Sequence, residues 1–168
     1  MALTMEEIYD EILKEGGKTP SLKVKETANR FPEKIAMRYK EYGLWQETTY
    51  SDFWLKSNYL SMGLKFYGIE KGDSVAIHSE NRPEWFIADI GIQSIGSISV
   101  GLYPSNPPSE VQYLLSHSET KVLFAEDQEQ VDKVLEVIDS LPMLQKIIFF
   151  EERGLYNYDN PKLIYFED

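Results

Sequence analysis

From residue 74 onward the chain alternates between short apolar runs and longer segments with apolar residues at helical spacing. The runs Ser74–His78, Ile98–Leu102, Lys121–Phe124 and Lys146–Phe150 predict strands. Four or five nearly continuous apolar residues suit a strand buried on both faces. Between them, Pro83–Ile95, Pro107–His117 and a segment from Asp127 to about Ser140 predict helices. Regular strand–helix alternation is the pattern of βαβ units, which place helices over both faces of a parallel sheet. The first part of the chain differs. Thr4 and Glu7 open a predicted helix over Thr4–Glu15, and Gly16-Gly17 stop it. A second helix spans Ser21–Phe31 and ends at Pro32. Lys34–Tyr39 and Leu44–Thr48 form a predicted hairpin around Glu41-Tyr42-Gly43. Thr49 and Asp52 make a capping pattern for a helix carrying Phe53, Leu60, Leu64 and Tyr67, with Gly68 as left-handed cap and Ile69 as its apolar contact. The expectation is an α/β fold: a mostly parallel sheet of βαβ units flanked by helices, with an N-terminal helical segment and a β-hairpin. Residues 1–168 read as one domain or subdomain, with an N-terminal helix over 1–20, an α/β core over 21–150, and a loop-rich Tyr, Asn and Asp tail over 151–168.

Composition narrows the partners. The formal net charge is −11, which repels phosphate backbones and sets nucleic acid aside as a partner. An anionic membrane surface is disfavoured for the same reason, because Lys18, Lys23 and Lys25 are the nearest approach to a basic patch and suit a solvated helix face. The chain has no cysteine, which removes disulfides and thiolate chemistry and fits a cytoplasmic protein. It starts with an acidic stretch where a secretory leader would be basic, and no run is long enough to span a bilayer.

The sequence motifs offer little self-contained chemistry. Gly17-Lys18-Thr19 matches the end of a phosphate loop, but Ile12 stands where the first glycine belongs and no strand precedes it. His78 and His117 lack further ligands at sensible spacing, so no metal site is expected. In an open parallel sheet, ligands sit beyond the carboxyl ends of the strands. Three loops reach that edge: His78–Arg82, Tyr103–Asn106 and Ala125–Asp127. In the first, Asn81 is the expected N-cap with Glu84 as its partner, and Arg82 could strengthen an anion site at the helix start. In the second, Ser105 or Asn106 is the expected cap and Tyr103 an amphipathic wall. Glu126-Asp127 and Glu151-Glu152 read as solvated ends of elements. Asn81, Arg82, Tyr103, Ser105 and Asn106 are therefore candidate pocket-wall residues, and no residue is expected to be catalytic.

Five segments, in order and in register, resemble the amino-terminal part of AMP-forming acyl-CoA synthetases. They are "RFPEKIAMRY" (30–39), "TTYSDF" (48–53), "GIEKGDSVAIHSENRPEW" (68–85), "GSISVGLYPSNPPSEVQYLLSHSETKVLFAED" (96–127) and "LPMLQKIIFF" (141–150). The pieces "SENRPEW", "LYPSNPP" and "YDNPKLIYFED" are most similar to the long-chain fatty acyl branch. The resemblance implies a parent enzyme that uses ATP, Mg²⁺ and coenzyme A, takes a fatty acid as substrate, and is cytoplasmic with peripheral membrane association as a further expectation. The family's phosphate loop, magnesium glutamate, ribose aspartate and catalytic lysine all belong after this segment. No catalytic residue is carried over, the fragment alone is expected to be inactive, and none of those cofactors is expected to bind it tightly. Its partner is then the remainder of the synthetase chain. The alternative is a stand-alone, synthetase-like interaction module, including a homodimer. A flavodoxin-like nucleotide-binding domain is a third reading, opposed by the lack of a glycine-rich phosphate loop after a strand.

Overall fold

The computed structural model describes residues 19–167; the predicted helix over Thr4–Glu15 and the first two residues of Gly17-Lys18-Thr19 lie outside the described residues. Helix α1 (Pro20–Arg30) starts at Thr19, whose side chain accepts from the Leu22 amide. Strands β1 (Ile35–Glu41) and β2 (Leu44–Thr49) form the antiparallel hairpin. Its two turn residues, Tyr42 (φ 47°) and Gly43 (φ 82°), both take positive φ, as a two-residue turn matched to strand twist requires. Helix α2 (Tyr50–Phe66) follows at once. Thr49 Oγ1 accepts from the Asp52 amide at 3.1 Å and gives its proton to Asp52 Oδ2 at 2.7 Å, a local variant of the expected cap. The helix ends as expected. The Ile69 amide bonds to Leu64 C=O and the Gly68 amide to Lys65 C=O, and Ile69 is fully buried behind Gly68 in its left-handed conformation.

The alternating part gives β3 (Ser74–His78), α3 (Pro83–Ser94), β4 (Ile98–Leu102), α4 (Pro108–His117), β5 (Val122–Ala125), α5 (Gln128–Glu136), a short 3₁₀ turn (Ile138–Ser140) and β6 (Lys146–Phe149). The tail is loop-rich as far as residue 162. It then adds a strand that the sequence reading missed: β7 (Leu163–Tyr165), parallel to β6. Five parallel strands run in the order β4-β3-β5-β6-β7.

Period-two alternation splits the core between the faces of this sheet. Val75, Ile77, Val122, Phe124 and Ile148 meet Leu64 of α2 and Ala88 and Ile92 of α3. Ala76, Leu123, Ala125 and Ile147 meet Val111 and Leu115 of α4 and Val131 and Val134 of α5. Helix α3 is apolar nearly all round because it is covered twice. The sheet takes one side, while α2, α1 and the hairpin take the other through Phe53, Ile87 and Ile90. The α2–α3 crossing is close. Ser61 Oγ donates to Gly91 C=O at 2.9 Å, and a Cβ on Gly91 would lie 2.6 Å from Leu60 Cδ2 and 2.9 Å from Ser57 O. Gly63, in the same helix α2, has none of the described residues within 4 Å of its Cβ position.

The two glycines should respond oppositely to alanine. Gly91→Ala overpacks the crossing and should destabilise the chain by about 1–3 kcal/mol. Gly63→Ala should stabilise it by about 1 kcal/mol through helix propensity alone. Urea unfolding of the two variants measures both.

Candidate ligand edge of the sheet

The strand order places β3 at the turning point of the topology. From β3 the chain moves out to β4, then crosses back to β5 on the other side. In open α/β sheets the crevice at such a reversal, beyond the strand carboxyl ends, is where ligands sit. Here that crevice lies between the loops after β3 and β5, and the two loops bind each other. The Glu126 amide donates to His78 C=O at 3.0 Å. The Glu126 carboxylate accepts the Glu80 amide at 2.7 Å.

Arg82 completes the closure. Its Nε donates to Glu84 at 2.7 Å and its Nη1 to Glu151 at 2.9 Å, with Glu126 at 3.7 Å. The guanidinium also lies over the Phe150 ring, 5.6 Å from its centre. Burial works against its charge, but Glu84 and then Glu151 outweigh that and hold its pKa above the ordinary arginine value. Arg82 thus joins the ends of β3, β5 and β6. One cation facing three carboxylates does not fit a polyphosphate, so no step through ATP is derived at this edge. Among the described residues no cluster of three His, Asp or Glu side chains could hold a metal ion.

The helix-start expectations need correction here. Arg82, not Asn81, is the N-cap of α3, and it makes no side-chain cap bond; Asn81 is exposed. Glu84 reaches Arg82 instead of closing a capping box, because the guanidinium offers a charged donor two residues away. At α4 the N-cap is Pro107, again without a side-chain bond. Asn106 points forward, with Nδ2 donating to Glu110 Oε2 at 2.6 Å and Oδ1 buried without a partner among the described residues. Tyr103 and Ser105 are exposed. Proline opens both helices, and its fixed φ and missing N–H remove much of the need for a capping side chain. The Asp127 cap of α5 forms as expected, accepting from the Gln130 amide.

The five candidate residues do not converge. Arg82 bonds toward β5 and β6, whereas Asn106 bonds within α4. What ties the two loops together is a residue outside the candidate set. His78, fully buried at the end of β3, donates from Nε2 to Tyr103 C=O at 3.1 Å, and the Asn106 amide shares that carbonyl at 2.9 Å. Lys133 Nζ reaches in from α5 to Pro104 C=O at 2.6 Å, Gln130 Oε1 at 3.0 Å and Glu129 at 2.7 Å. Burial, then the nearby Lys133 charge, pushes the His78 pKa down to about 4, against weaker raising by the Tyr103 carbonyl, Asp127 and Glu129. The sequence signal was a polar residue at the inward position following Ala76 in a strand otherwise buried on both faces.

Residues 24–162 match the family described as AMP-binding enzyme, and the chain belongs to that family. Among its relatives, the long-chain-fatty-acid–CoA ligase ACSBG2 of Xenopus laevis is 31% identical over 127 residues, covering 76% of this chain and 17% of that one. The long-chain-fatty-acid–CoA ligase FadD15 of Mycobacterium tuberculosis is 32% identical over 106 residues, covering 63% and 18%. The chain therefore spans less than a fifth of the length of these relatives. Among solved structures, acetoacetyl-CoA synthetase from Streptomyces lividans superposes with a TM-score of 0.77 at 20% identity, covering 88% of this chain and 24% of that one. At that identity it shows the fold alone.

Two outcomes follow from the edge. Above pH 6.5 His78 is neutral both folded and unfolded. As pH falls from 6.5 toward 4, only the unfolded chain takes the proton, so stability is lost and the loss levels off near pH 4. The contribution is roughly 3 kcal/mol over that window. His78→Phe should flatten this part of the stability–pH curve measured by urea unfolding. Arg82→Gln leaves three carboxylates facing one another and should cost about 1 kcal/mol at low salt, shrinking as salt is added.

Proposed function

We propose that this chain is the amino-terminal part of an AMP-forming long-chain fatty acid–CoA ligase and that by itself it carries no adenylating activity. The observation that supports the reading is the family match over residues 24–162 together with relatives named as long-chain-fatty-acid–CoA ligases. The reaction proposed for the parent has two steps. A fatty acid carboxylate oxygen attacks the α-phosphorus of ATP and pyrophosphate leaves. The thiol of coenzyme A then attacks the acyl carbon and AMP leaves with the bonding pair. Mg²⁺ and cationic groups would neutralise the moving phosphate charge. The residues described here supply scaffold. The sheet edge that could have offered an anion site is closed by Arg82, Glu84, Glu126 and Glu151. The proposal includes a cytoplasmic parent with peripheral membrane association, and the rest of that chain as partner.

Acyl-dependent exchange of pyrophosphate with ATP tests the inactive half of the reading. The 168-residue chain should give no exchange above the protein-free blank with laurate or palmitate. Exchange at a rate typical of enzymes would sink it. Immunoblotting of source cells with an antibody to this segment tests the other half: the expected species is several times longer than 168 residues, and a species of this length alone would overturn it.

A further inference from the structure

The inner side of helix α2, with Phe53, Ser57, Ser61 and Leu64, is buried. Its outer side is apolar as well. There Leu55, Tyr59, Met62 and Phe66 are 47%, 63%, 68% and 84% exposed. They recur at intervals of four, three and four residues. That is the heptad spacing of a seam between two packed helices, and it fits another helix better than a flat partner. Over the length of the stripe α2 rises about 16 Å.

A matching stripe lies in the chain before Thr19. The helix that the sequence predicts over Thr4–Glu15 is outside the described residues. Its Met5, Ile8 and Ile12 repeat the three–four spacing of Tyr59, Met62 and Phe66, and Tyr9 and Leu13 widen the apolar face. Its other side is acidic, with Glu6, Glu7, Asp10, Glu11 and Glu15 against Lys14. The helices that would receive it have the opposite sign. Helix α1 has Lys23, Lys25 and Arg30 against Glu26, and α2 has Lys56 and Lys65 against Asp52, in a chain of net charge −11. A second copy of α2 on the same stripe would bring lysine to lysine.

The connection also fits. The end of α1 lies at the start of α2, where the Ser51 amide donates to Pro32 C=O at 3.1 Å, and Lys25 Nζ is 5.9 Å from the centre of the Trp54 ring. Helix α1 therefore runs back along α2, and Thr19 comes out beside the later turns of α2. The linker Gly16-Gly17-Lys18 extends to about 10 Å, enough to cross the roughly 8–10 Å between packed helix axes. A turn this short sends the preceding helix antiparallel to α1, hence parallel to α2. Met5 then falls level with Tyr59, Ile8 with Met62 and Ile12 with Phe66. The tether also holds the segment at an effective concentration in the millimolar range, which favours it over a second copy of the chain.

We propose that the outer stripe of α2 is the docking surface for the chain's own segment 4–15, held as a helix parallel to α2 with Met5, Ile8 and Ile12 against Tyr59, Met62 and Phe66. The proposal does not rest on the acyl–CoA ligase reading.

The chain has no cysteine, so introduced pairs report without background. In the 168-residue chain, Ile8→Cys with Met62→Cys should oxidise to a disulfide within one molecule, because bridged residues need Cα atoms within about 7 Å. Glu7→Cys, on the polar side, with Met62→Cys should give at least tenfold less. A second readout needs only one change at an exposed position. Met62→Asp should speed tryptic cleavage after Lys14 at least tenfold while leaving cleavage after Lys121, beside strand β5, unchanged. The proposal is overturned if the two cysteine pairs cross-link equally, if neither does, or if Met62→Asp leaves cleavage after Lys14 as it was. Disulfide-linked dimers from the pair at 8 and 62 would also overturn it, since the occupant is then a second copy of the chain.

Discussion

Strand β3 is hydrogen-bonded in parallel on both sides, to β4 and to β5, and buried on both faces. Everything after residue 70 depends on that arrangement. A parallel neighbour requires a crossover; the three crossovers from β3 to β6 are built on helices, while the one to β7 is loop, and each helix must find an apolar strand face. With β4 on one side and β5 on the other, the first crossover runs one way and the second runs back. Helix α3 therefore falls on one face of the sheet and α4 and α5 on the other. The same doubling-back brings the loops after β3 and β5 side by side at the carboxyl edge, and the chain closes that crevice with its own acidic residues.

Much of the fold was legible because buried parallel strands leave a strong trace. Ser74–His78 and Ile98–Leu102 were bounded to the residue, since each is a short apolar run with turn residues at both ends. Strand β7 was not legible. Three residues, Leu163–Tyr165, half-buried at the edge of a sheet, carry too short a pattern, and the strand exists because β6 offers an open edge. The helix starts at Asn81 and Asn106 were misjudged in detail for a common reason. Capping rules assume that a side chain must satisfy the first amides, but Pro83 and Pro108 had already removed part of that need.

The candidate site was legible in place and not in content. Sheet topology puts the loops after β3, β4 and β5 at the carboxyl edge of the strands, and the loops do lie there. What distance along the chain could not reveal was that Arg82 and Glu151, 69 residues apart, would be bonded, or that Lys133 would reach Pro104. Glu126 and Glu151, read as solvated ends, are two of the three anions that hold Arg82. His78 was discounted for want of further metal ligands, yet its structural part needs none: one N–H, one carbonyl, and a dry environment that keeps the ring neutral.

The small size of β7 also matters to the apolar groove of about 610 Å³ that runs beside helix α2 over the ends of β5, β6 and β7. Its ladder has three residue pairs, and among the described residues it has a strand neighbour on one side only. Opening of such an edge strand requires less free energy than opening of the interior. Yet Ile164 and Phe166 form part of the groove wall, and Phe166 packs against Phe124 and Phe150. This short edge strand is thus one boundary of that apolar groove. The Phe166 ring contacts and the pairing of β7 therefore stand or fall together, so loosening of that aromatic cluster and loss of amide protection in the last strand are two readings of a single local equilibrium.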